Sequence, residues 1–234
     1  MTRTEQVYDH IRRDLLNGVL APGQKLGLVN LADRFGVSQS VVREALTRLA
    51  EQHLVVASPQ RGFRVRELSV ADIADLTEVR IQIESLALKL AIERGDVEWE
   101  MSIVASHHAL ARIPVSAEDS VLDEEWPIRH REFHGALLTG CGSPRLMAVA
   151  SSLRDSAELY RRWYWALTDD HARDLAAEHR RLKELALARD ADAAVNLLAE
   201  HIKRAPCALI EYAKEHGMDG LEKTRDQARS DRAS

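Results

Sequence analysis

The sequence predicts a mostly α protein, in which a small helical unit closed by a β-hairpin precedes an all-α antiparallel helical bundle. Apolar residues repeat at helical spacing through most of the chain, and strand-like alternation occurs only near residues 54–66. Short breaks separate the later helices, which favours antiparallel neighbours. We therefore expect a first domain at residues 1–68, a second at 69–217, and a polar, disordered tail at 218–234.

Two helices are predicted at the start of the chain. The first covers residues 4–17 and ends at Gly18. Its inward face consists of apolar residues at helical spacing, namely Val7, Ile11, Leu15 and Leu16. A turn signal at Pro22-Gly23 separates it from a short second helix at about 29–35.

A third helix is predicted after a turn at residues 36–38. Ser38 is expected to cap this helix, which extends over residues 39–52. Its inward face is again apolar and consists of Val42, Leu46 and Leu49.

Strand-like alternation follows at residues 54–57 and 63–66. The loop between these two runs carries Gly62 at its tip, which is the pattern of a β-hairpin. The order helix, helix, turn, helix, hairpin predicts a winged helix-turn-helix.

The remainder of the chain is predicted to be helical up to about residue 216. Ser69 is expected to cap the first helix of this region, and Gly95 is expected to end it. Six helices are predicted, at about residues 70–94, 97–112, 117–139, 143–167, 170–188 and 191–216.

Composition limits the classes of function. Residues 1–66 carry ten Lys/Arg and six Asp/Glu, whereas residues 67–234 carry twenty-two and thirty-one. A basic head on an acidic body indicates nucleic-acid contact in the head. The chain has no apolar run long enough for a transmembrane helix and no signal-peptide core, so no membrane partner is expected. Its two cysteines have no metal or redox spacing, which fits a reduced cytoplasmic protein.

DNA recognition would fall to the third helix, because helix-turn-helix proteins insert this helix into the major groove with its N-terminal residues at base edges. The candidates for base contacts are Ser38, Gln39, Ser40 and Arg43. The candidates for phosphate contacts are Arg34, Arg48 and Arg61. Gly62 would let the backbone of the wing approach a DNA groove closely. The alternative is a protein-binding winged helix in which Arg43 only pairs with a carboxylate.

This region resembles the GntR family of bacterial regulators. The resemblance covers residues 1–66 and is carried by Leu31–Ser38, Val42–Leu49, Leu20–Gly23 and Arg61–Phe63. It implies that the residues at Ser38, Gln39, Arg43 and the wing-tip pair Arg61-Gly62 contact DNA.

Four histidines of the helical region have a spacing that suits a metal site. His130 and His134 are four residues apart and share one face of a helix. His179 and His201 lie in later helices. Imidazoles from three helices of a bundle can hold a divalent metal ion, although an i, i+4 pair arises easily by chance among ten histidines.

The helical region resembles the FCD domain, the effector domain of the FadR branch of GntR regulators, in its VanR-like six-helix form. The resemblance covers residues 70 to about 216. It is carried by Val79-Arg80 with Glu84, Ala87-Leu88 and Ala91, by His130–His134 with Leu137, and by Glu178–Arg180 with Ala194 and His201-Ile202.

The resemblance implies that a metal held by the four histidines binds a carboxylate effector, toward which Arg80 reaches. His130 stands where the family usually has Asp, so an all-imidazole site and a site without His130 are both open. Imidazole ligands favour zinc or nickel. The alternative for Arg80 is an ion pair with Glu84 at i+4. Tyr160, Trp163 and Trp165 are expected to pack in the core, with a lining role as the alternative.

These features predict a cytoplasmic, homodimeric transcription regulator. A small organic acid bound beside the metal would change its affinity for double-stranded operator DNA, and repression relieved by the acid is the expected sign. No catalytic residue is assigned, because Glu132 lies two residues from both His130 and His134 and faces away from them on a helix. The alternatives are a metal-dependent hydrolase and a regulator whose helical domain holds no metal.

Overall fold

A computed structural model describes most of the chain. The described residues are 2–16, 19–21, 23–52, 54–58, 62–66, 69–113, 125–167 and 175–216, and the structural statements below concern these residues. The wing-tip Arg61 and the predicted tail at 218–234 lie outside them. The domain boundaries at 68 and 217 remain predictions.

The N-terminal unit has the predicted winged helix-turn-helix architecture. Its elements are α1 (Arg3–Leu16), β1 (Lys25–Leu26), α2 (Leu28–Phe35), α3 (Gln39–Glu51), β2 (Val55–Ser58) and β3 (Gly62–Val65). Gly36 ends α2 in the left-handed conformation, with a φ of 61°, which favours glycine and turns the chain into α3. The apolar face of α3 packs against α1 and α2.

The short strand β1 is an element that the sequence analysis missed. It pairs antiparallel with β3, so that Lys25 faces Arg64 and Leu26 faces Phe63, and the sheet order is β1-β3-β2. A strand of two residues is too short to show alternation in the sequence. It is defined only by its pairing with β3 in the folded protein.

Ser38 occupies the predicted N-cap position of α3, but its side chain does not cap the helix. Ser38 Oγ lies 2.8 Å from Ser40 Oγ and accepts no hydrogen bond from the first turn of the helix. The capping prediction assumed a free hydroxyl, whereas the serine two residues further on supplies a competing partner.

The six predicted helices of the second unit are present within the described residues. They are α4 (Val70–Arg94), α5 (Val97–Ala111), α6 (Trp126–Thr139), α7 (Pro144–Leu167), α8 (Leu175–Leu187) and α9 (Ala191–Glu215). Ser69 caps α4 as predicted, because its Oγ accepts a 3.0 Å hydrogen bond from the Asp72 backbone N–H. The predicted helix starts at residues 117 and 170 lie outside the described residues.

Helix α4 lies at the centre of the bundle and packs along α6, α7 and α9. The helix ends at Gly95, where a Cβ would lie only 2.4 Å from Trp99 Cε3, so only glycine fits this close approach. Among the described residues, no helix combines the length and the apolar character that crossing a bilayer requires.

The head packs against one end of the bundle. Ile73, Leu159, Tyr160 and Leu209 from the bundle belong to the same buried apolar cluster as the inward faces of α1 and α3. Burying these surfaces together favours one placement of the head. The shared cluster therefore joins the N-terminal unit to this end of the bundle by direct packing.

Candidate metal centre and nucleic-acid interface

The N-terminal end of α3 presents a polar surface. The four predicted base-contact residues, Ser38, Gln39, Ser40 and Arg43, are all exposed. Val42, Ala45, Leu46 and Leu49 are fully buried on the other side of the helix. The buried side fixes the rotation of α3 about its axis, so the polar surface is held in one orientation.

The arginines predicted to contact phosphates have partners on the protein. Arg34 Nη1 lies 2.7 Å from Asp14 Oδ2, and the Arg48 guanidinium lies 4.6 Å from the centroid of the Tyr8 ring. Both arginines are exposed, and exposed pairs of this kind are weak enough to be exchanged for phosphate. Gly62 has a φ of 80°, a conformation that favours glycine, and it begins β3 beside the tip of the wing.

The four predicted histidines converge inside the bundle. Helix α6 supplies His130 and His134, α8 supplies His179, and α9 supplies His201. One nitrogen from each lies within 4.8 Å of those of the other three. Three of the four side chains are buried and His130 is half-buried. The structure thus brings together all the ligand candidates that the sequence suggested.

The distance between two of these histidines fits a bound metal ion. His134 Nε2 and His179 Nε2 are 3.4 Å apart. Two nitrogens at about 2.0–2.1 Å from one tetrahedral zinc ion are separated by about 3.3–3.4 Å. Two lone pairs at this separation repel each other unless a proton or a cation lies between them. The donor set and its spacing therefore suit a divalent metal.

Glu178 fixes the tautomer of His201. Its Oε2 lies 2.8 Å from His201 Nδ1, and its Oε1 accepts a 2.6 Å hydrogen bond from Arg204. A carboxylate paired with arginine only accepts, so Nδ1 of His201 carries the proton and Nε2 is the nitrogen that can bind a metal. The sequence analysis gave Glu178 no role, although its position next to His179 was a signal.

His130 is held differently from the other three histidines. Arg161 Nη1 donates a hydrogen bond to His130 Nδ1, and the His130 ring stacks on Trp126 with centroids 4.5 Å apart. A neutral imidazole has one acceptor nitrogen, so Nε2 of His130 carries the proton in this arrangement. His130 would have to exchange Arg161 for the metal to become the fourth ligand.

Burial keeps His130 and His134 in the neutral form. Desolvation is the main cause that lowers the pKa of His130 and of His134 well below the ordinary value of 6.5. The positive charge of Arg161 lowers the pKa of His130 further, and His201 has the same effect on His134. Neutral imidazole is the form that binds metal.

A cavity of about 90 Å³ adjoins the histidines, and His130, His134 and His201 form part of its wall. One water needs about 10–15 Å³ by the same measure, so the cavity has room for a small organic molecule. Apolar side chains form much of the wall, including Ile73, Trp126, Tyr164, Trp165 and Ile202. Four arginines complete it, namely Arg80, Arg131, Arg154 and Arg161.

Of the three aromatic residues considered from the sequence, Tyr160 and Trp165 are buried and line this cavity as well. They therefore combine the expected core packing with the alternative lining role. The side chain of Trp163 lies outside the described part of the chain.

Arg80 lines the cavity and also forms the ion pair that was its alternative. Arg80 Nε lies 2.8 Å from Glu84 Oε1, and Arg154 Nη1 lies 3.8 Å from the other oxygen of this fully buried carboxylate. Arg154 also donates a 3.3 Å hydrogen bond to the carbonyl of His134. Arg80 is thus held in place by Glu84 at the edge of the cavity.

One ion-pair chain connects α1 to the cavity wall. Arg12 of α1 pairs with Asp155 of α7, and the other oxygen of Asp155 lies 3.4 Å from Arg131 Nε of α6. Asp155 is buried, whereas Arg12 and Arg131 are partly exposed. Arg131 lines the cavity, so the head is linked to it through one carboxylate.

A second polar chain connects the wing to the cavity wall. Arg66 Nη2 lies 2.5 Å from Asp72 Oδ1, and Tyr160 donates a hydrogen bond to Asp72 Oδ2. Burial and this hydrogen bond raise the pKa of Tyr160, so its hydroxyl stays protonated. Neither chain was predicted from the sequence, because the members of each chain are far apart in it.

Comparison with known proteins assigns each of the two units to a known domain family. The family model described as bacterial regulatory proteins, gntR family, matches residues 3–65, and the FCD domain model matches residues 75–204. The HTH-type transcriptional regulator BphR of Paraburkholderia xenovorans is 38% identical over 210 residues, which cover 89% of this chain and 85% of BphR. The HTH-type transcriptional repressor GlaR of Escherichia coli is 31% identical over 210 residues, covering 88% and 94% of the two chains.

Solved structures share the whole architecture. E. coli McbR/YncC superposes with a TM-score of 0.75 at 24% sequence identity, over 90% of this chain and 98% of that one. A GntR-type regulator from Rhodococcus sp. RHA1 gives a TM-score of 0.72 at 23% identity, over 90% and 99%. At these identities the likeness shows the fold alone.

Proposed function

The chain belongs to the GntR family of bacterial regulatory proteins and carries an FCD domain, and from this membership we propose that it is a homodimeric cytoplasmic repressor that a small carboxylate releases from its operator. That it is a DNA-binding transcription regulator follows from the family itself. The relative GlaR is named as a repressor, which supports the same sign of regulation here.

The DNA-reading surface in this proposal is the exposed N-terminal end of α3. Gln39 and Arg43 would contact base edges, because glutamine can bond adenine and arginine guanine in a bidentate manner. Phosphate contacts would come from Arg34, Arg48 and the wing around Gly62. In a homodimer, the two α3 helices would lie about one helical turn of DNA apart on a near-palindromic operator.

The observation that carries the sensor proposal is the convergence of four histidines on a cavity that Arg80 also lines. His134, His179 and His201 would hold a divalent metal, with His130 as a fourth ligand once it leaves Arg161. Zinc or nickel suits this imidazole set. A bound metal would supply the positive charge that a carboxylate needs in a desolvated site.

The protein's own side chains would then position the effector. Arg80, oriented by Glu84, would bond one carboxylate, for which a planar guanidinium is a suitable donor. The apolar wall would exclude water and strengthen that bond. Displacement of Arg131 or Tyr160 by the effector would alter the two polar chains to the head, with a coupling free energy of about 1–3 kcal/mol.

A hydrolase is the weaker candidate. A metal-bound water would need a general base beside it, but Glu132 is exposed and lies 3.0 Å from Arg129. Its outward position agrees with the sequence prediction. The named relatives are transcription regulators, so we propose a regulatory and non-enzymatic role.

The metal content of the purified full-length protein tests the sensor proposal. We expect about one equivalent of zinc or nickel by mass spectrometry after incubation with each metal, and loss of most of it in His134→Ala and His179→Ala. His108→Ala is the control, because His108 is exposed on α5. Wild-type protein without metal after this treatment, or equal metal in all four proteins, would contradict the proposed site.

A further inference from the structure

The wall of the cavity carries more positive than negative charge. Among the described residues, ion pairs connect five arginines with three carboxylates at and behind this wall. The arginines are Arg12, Arg80, Arg131, Arg154 and Arg161, and the acids are Glu84, Asp155 and Glu158. The excess is two positive charges, and buried charge without compensation is costly.

Two of these arginines also have donors without a partner. The Nε atoms of Arg154 and Arg161 are buried and form no hydrogen bond with the described residues. Both residues line the cavity. A buried guanidinium N–H group without an acceptor is expensive, so a ligand carboxylate that accepts from these donors would gain a favourable hydrogen bond.

The charges are placed at two levels along α7. Arg154 and Arg161 are seven residues apart, which puts them on one face of the helix at a distance of about 10 Å along its axis. Arg154 lies with Arg80 around Glu84. Arg161 lies further along, with its guanidinium 4.9 Å from the centroid of the Trp126 ring. Ala157 and other apolar residues line the cavity as well.

We propose that the effector is a short organic acid with two carboxylates, one bound at Arg80 and the second at Arg161. The inference rests on the proposed carboxylate effector and adds the second negative charge. The two carboxylates would offset part of the positive charge of the arginines and of the proposed metal ion, and the carbon chain would lie against the apolar wall. Arg161 is thereby a specificity-determining residue, because it raises the affinity for dicarboxylates above that for monocarboxylates.

Calorimetric titration of the full-length protein with matched acids tests this inference. The probes are succinate and adipate, compared with butanoate and hexanoate, which have the same numbers of carbon atoms. We expect at least one dicarboxylate to bind roughly tenfold or more tightly than its matched monocarboxylate, because a charge-assisted bond replaces a methyl contact. In Arg161→Gln this preference should disappear, while the monocarboxylate affinity stays within about twofold.

Two further variants make the test specific. Arg161→Lys keeps the charge without the planar guanidinium group and should retain only part of the preference for dicarboxylates. This variant keeps the test possible even if Arg161→Gln fails to fold. Arg129→Gln is the control, because Arg129 is partly exposed on α6 and pairs with Glu125 and Glu132. It should preserve the full preference.

The possible failures are distinguishable. Equal binding of the two acid classes by the wild type, or equal weakening of both in the Arg161 variants, would overturn the second carboxylate site and leave a monocarboxylate effector possible. Failure of all four acids to bind the wild type would overturn the proposed carboxylate effector together with this inference.

Discussion

At the scale of single residues, the histidine cluster depends on partners that prepare each ring. His201 is oriented by Glu178, whereas His130 is engaged by Arg161. His201 therefore has a ring nitrogen available to bind a metal, whereas His130 must first lose its hydrogen bond to Arg161. The difference lies in the hydrogen bond made by the second ring nitrogen.

Glu178→Gln should weaken metal binding. The amide is a weaker acceptor for His201 Nδ1–H than the carboxylate, so the imidazole becomes less basic and less well oriented. Loss of such an outer partner typically costs about 10–100-fold in metal affinity. Competition for zinc with a chromophoric chelator measures the change. Glu132→Gln is the matched control on α6, and equal affinities for the two variants would refute the orienting role of Glu178.

The sequence was sufficient for part of the site. The His130/His134 spacing predicted two imidazoles on one face of a helix, and both residues line the cavity. Arg161 and Asp155 could not be found in this way, because their roles depend on which helices pack against α7. Sequence spacing reports neighbours within one helix, whereas contacts between helices are set by packing.

At the scale of elements, periodicity predicted nearly all of the fold. Helices α1 and α3 show apolar stripes and α4 shows a capping signal, whereas the two-residue strand β1 has neither. Ser38 was placed correctly at the start of α3, yet its hydroxyl bonds Ser40 instead of the helix. Local signals thus located the ends of the elements better than they located hydrogen-bond partners.

The polar surface of α3 should determine which DNA sequence is bound. We expect Gln39→Ala and Arg43→Ala each to cost about 1–3 kcal/mol and to relax the preference at one base position. Arg48→Ala should instead weaken binding similarly for all sequences and reduce the salt dependence. Selection from a random duplex library, followed by fluorescence anisotropy at fixed ionic strength, distinguishes these effects.

A control for this prediction lies on the bundle. Arg181 of α8 is exposed, with 61% of its side chain accessible, and Arg181→Ala should bind the selected DNA as the wild type does. If Gln39→Ala and Arg43→Ala also retained wild-type affinity and base preference, α3 would not be the reading helix.

At the scale of the whole molecule, the head and the bundle share a core and two polar chains. The shared apolar cluster holds the head against the end of the bundle. The chains through Asp155 and Asp72 end at residues that line the cavity. Packing alone would give a fixed head, whereas ion pairs can be exchanged when a charged ligand enters. The combination suits a switch between two head positions.

Arg12→Gln should uncouple the effector from DNA binding. The variant removes the link between α1 and Asp155, but Asp155 keeps Arg131 and the cavity wall is unchanged. Affinity for the carboxylate should therefore stay near the wild-type value. The effect of that carboxylate on DNA affinity should fall well below the wild-type effect, which is typically about 5–150-fold for allosteric coupling, because only the Asp72 chain remains. Anisotropy titrations of operator DNA with and without saturating ligand measure both quantities.

Arg13→Gln is the matched control for this experiment, because Arg13 is the exposed neighbour of Arg12 on α1 and makes no ion pair among the described residues. It should respond to the ligand as the wild type does. If Arg12→Gln kept the full response, the Asp155 chain would be only a structural contact, and the signal would have to pass through Asp72 and the wing. Loss of response together with loss of ligand binding would instead show that Arg12 supports the cavity itself, since an uncoupled protein must still bind its ligand.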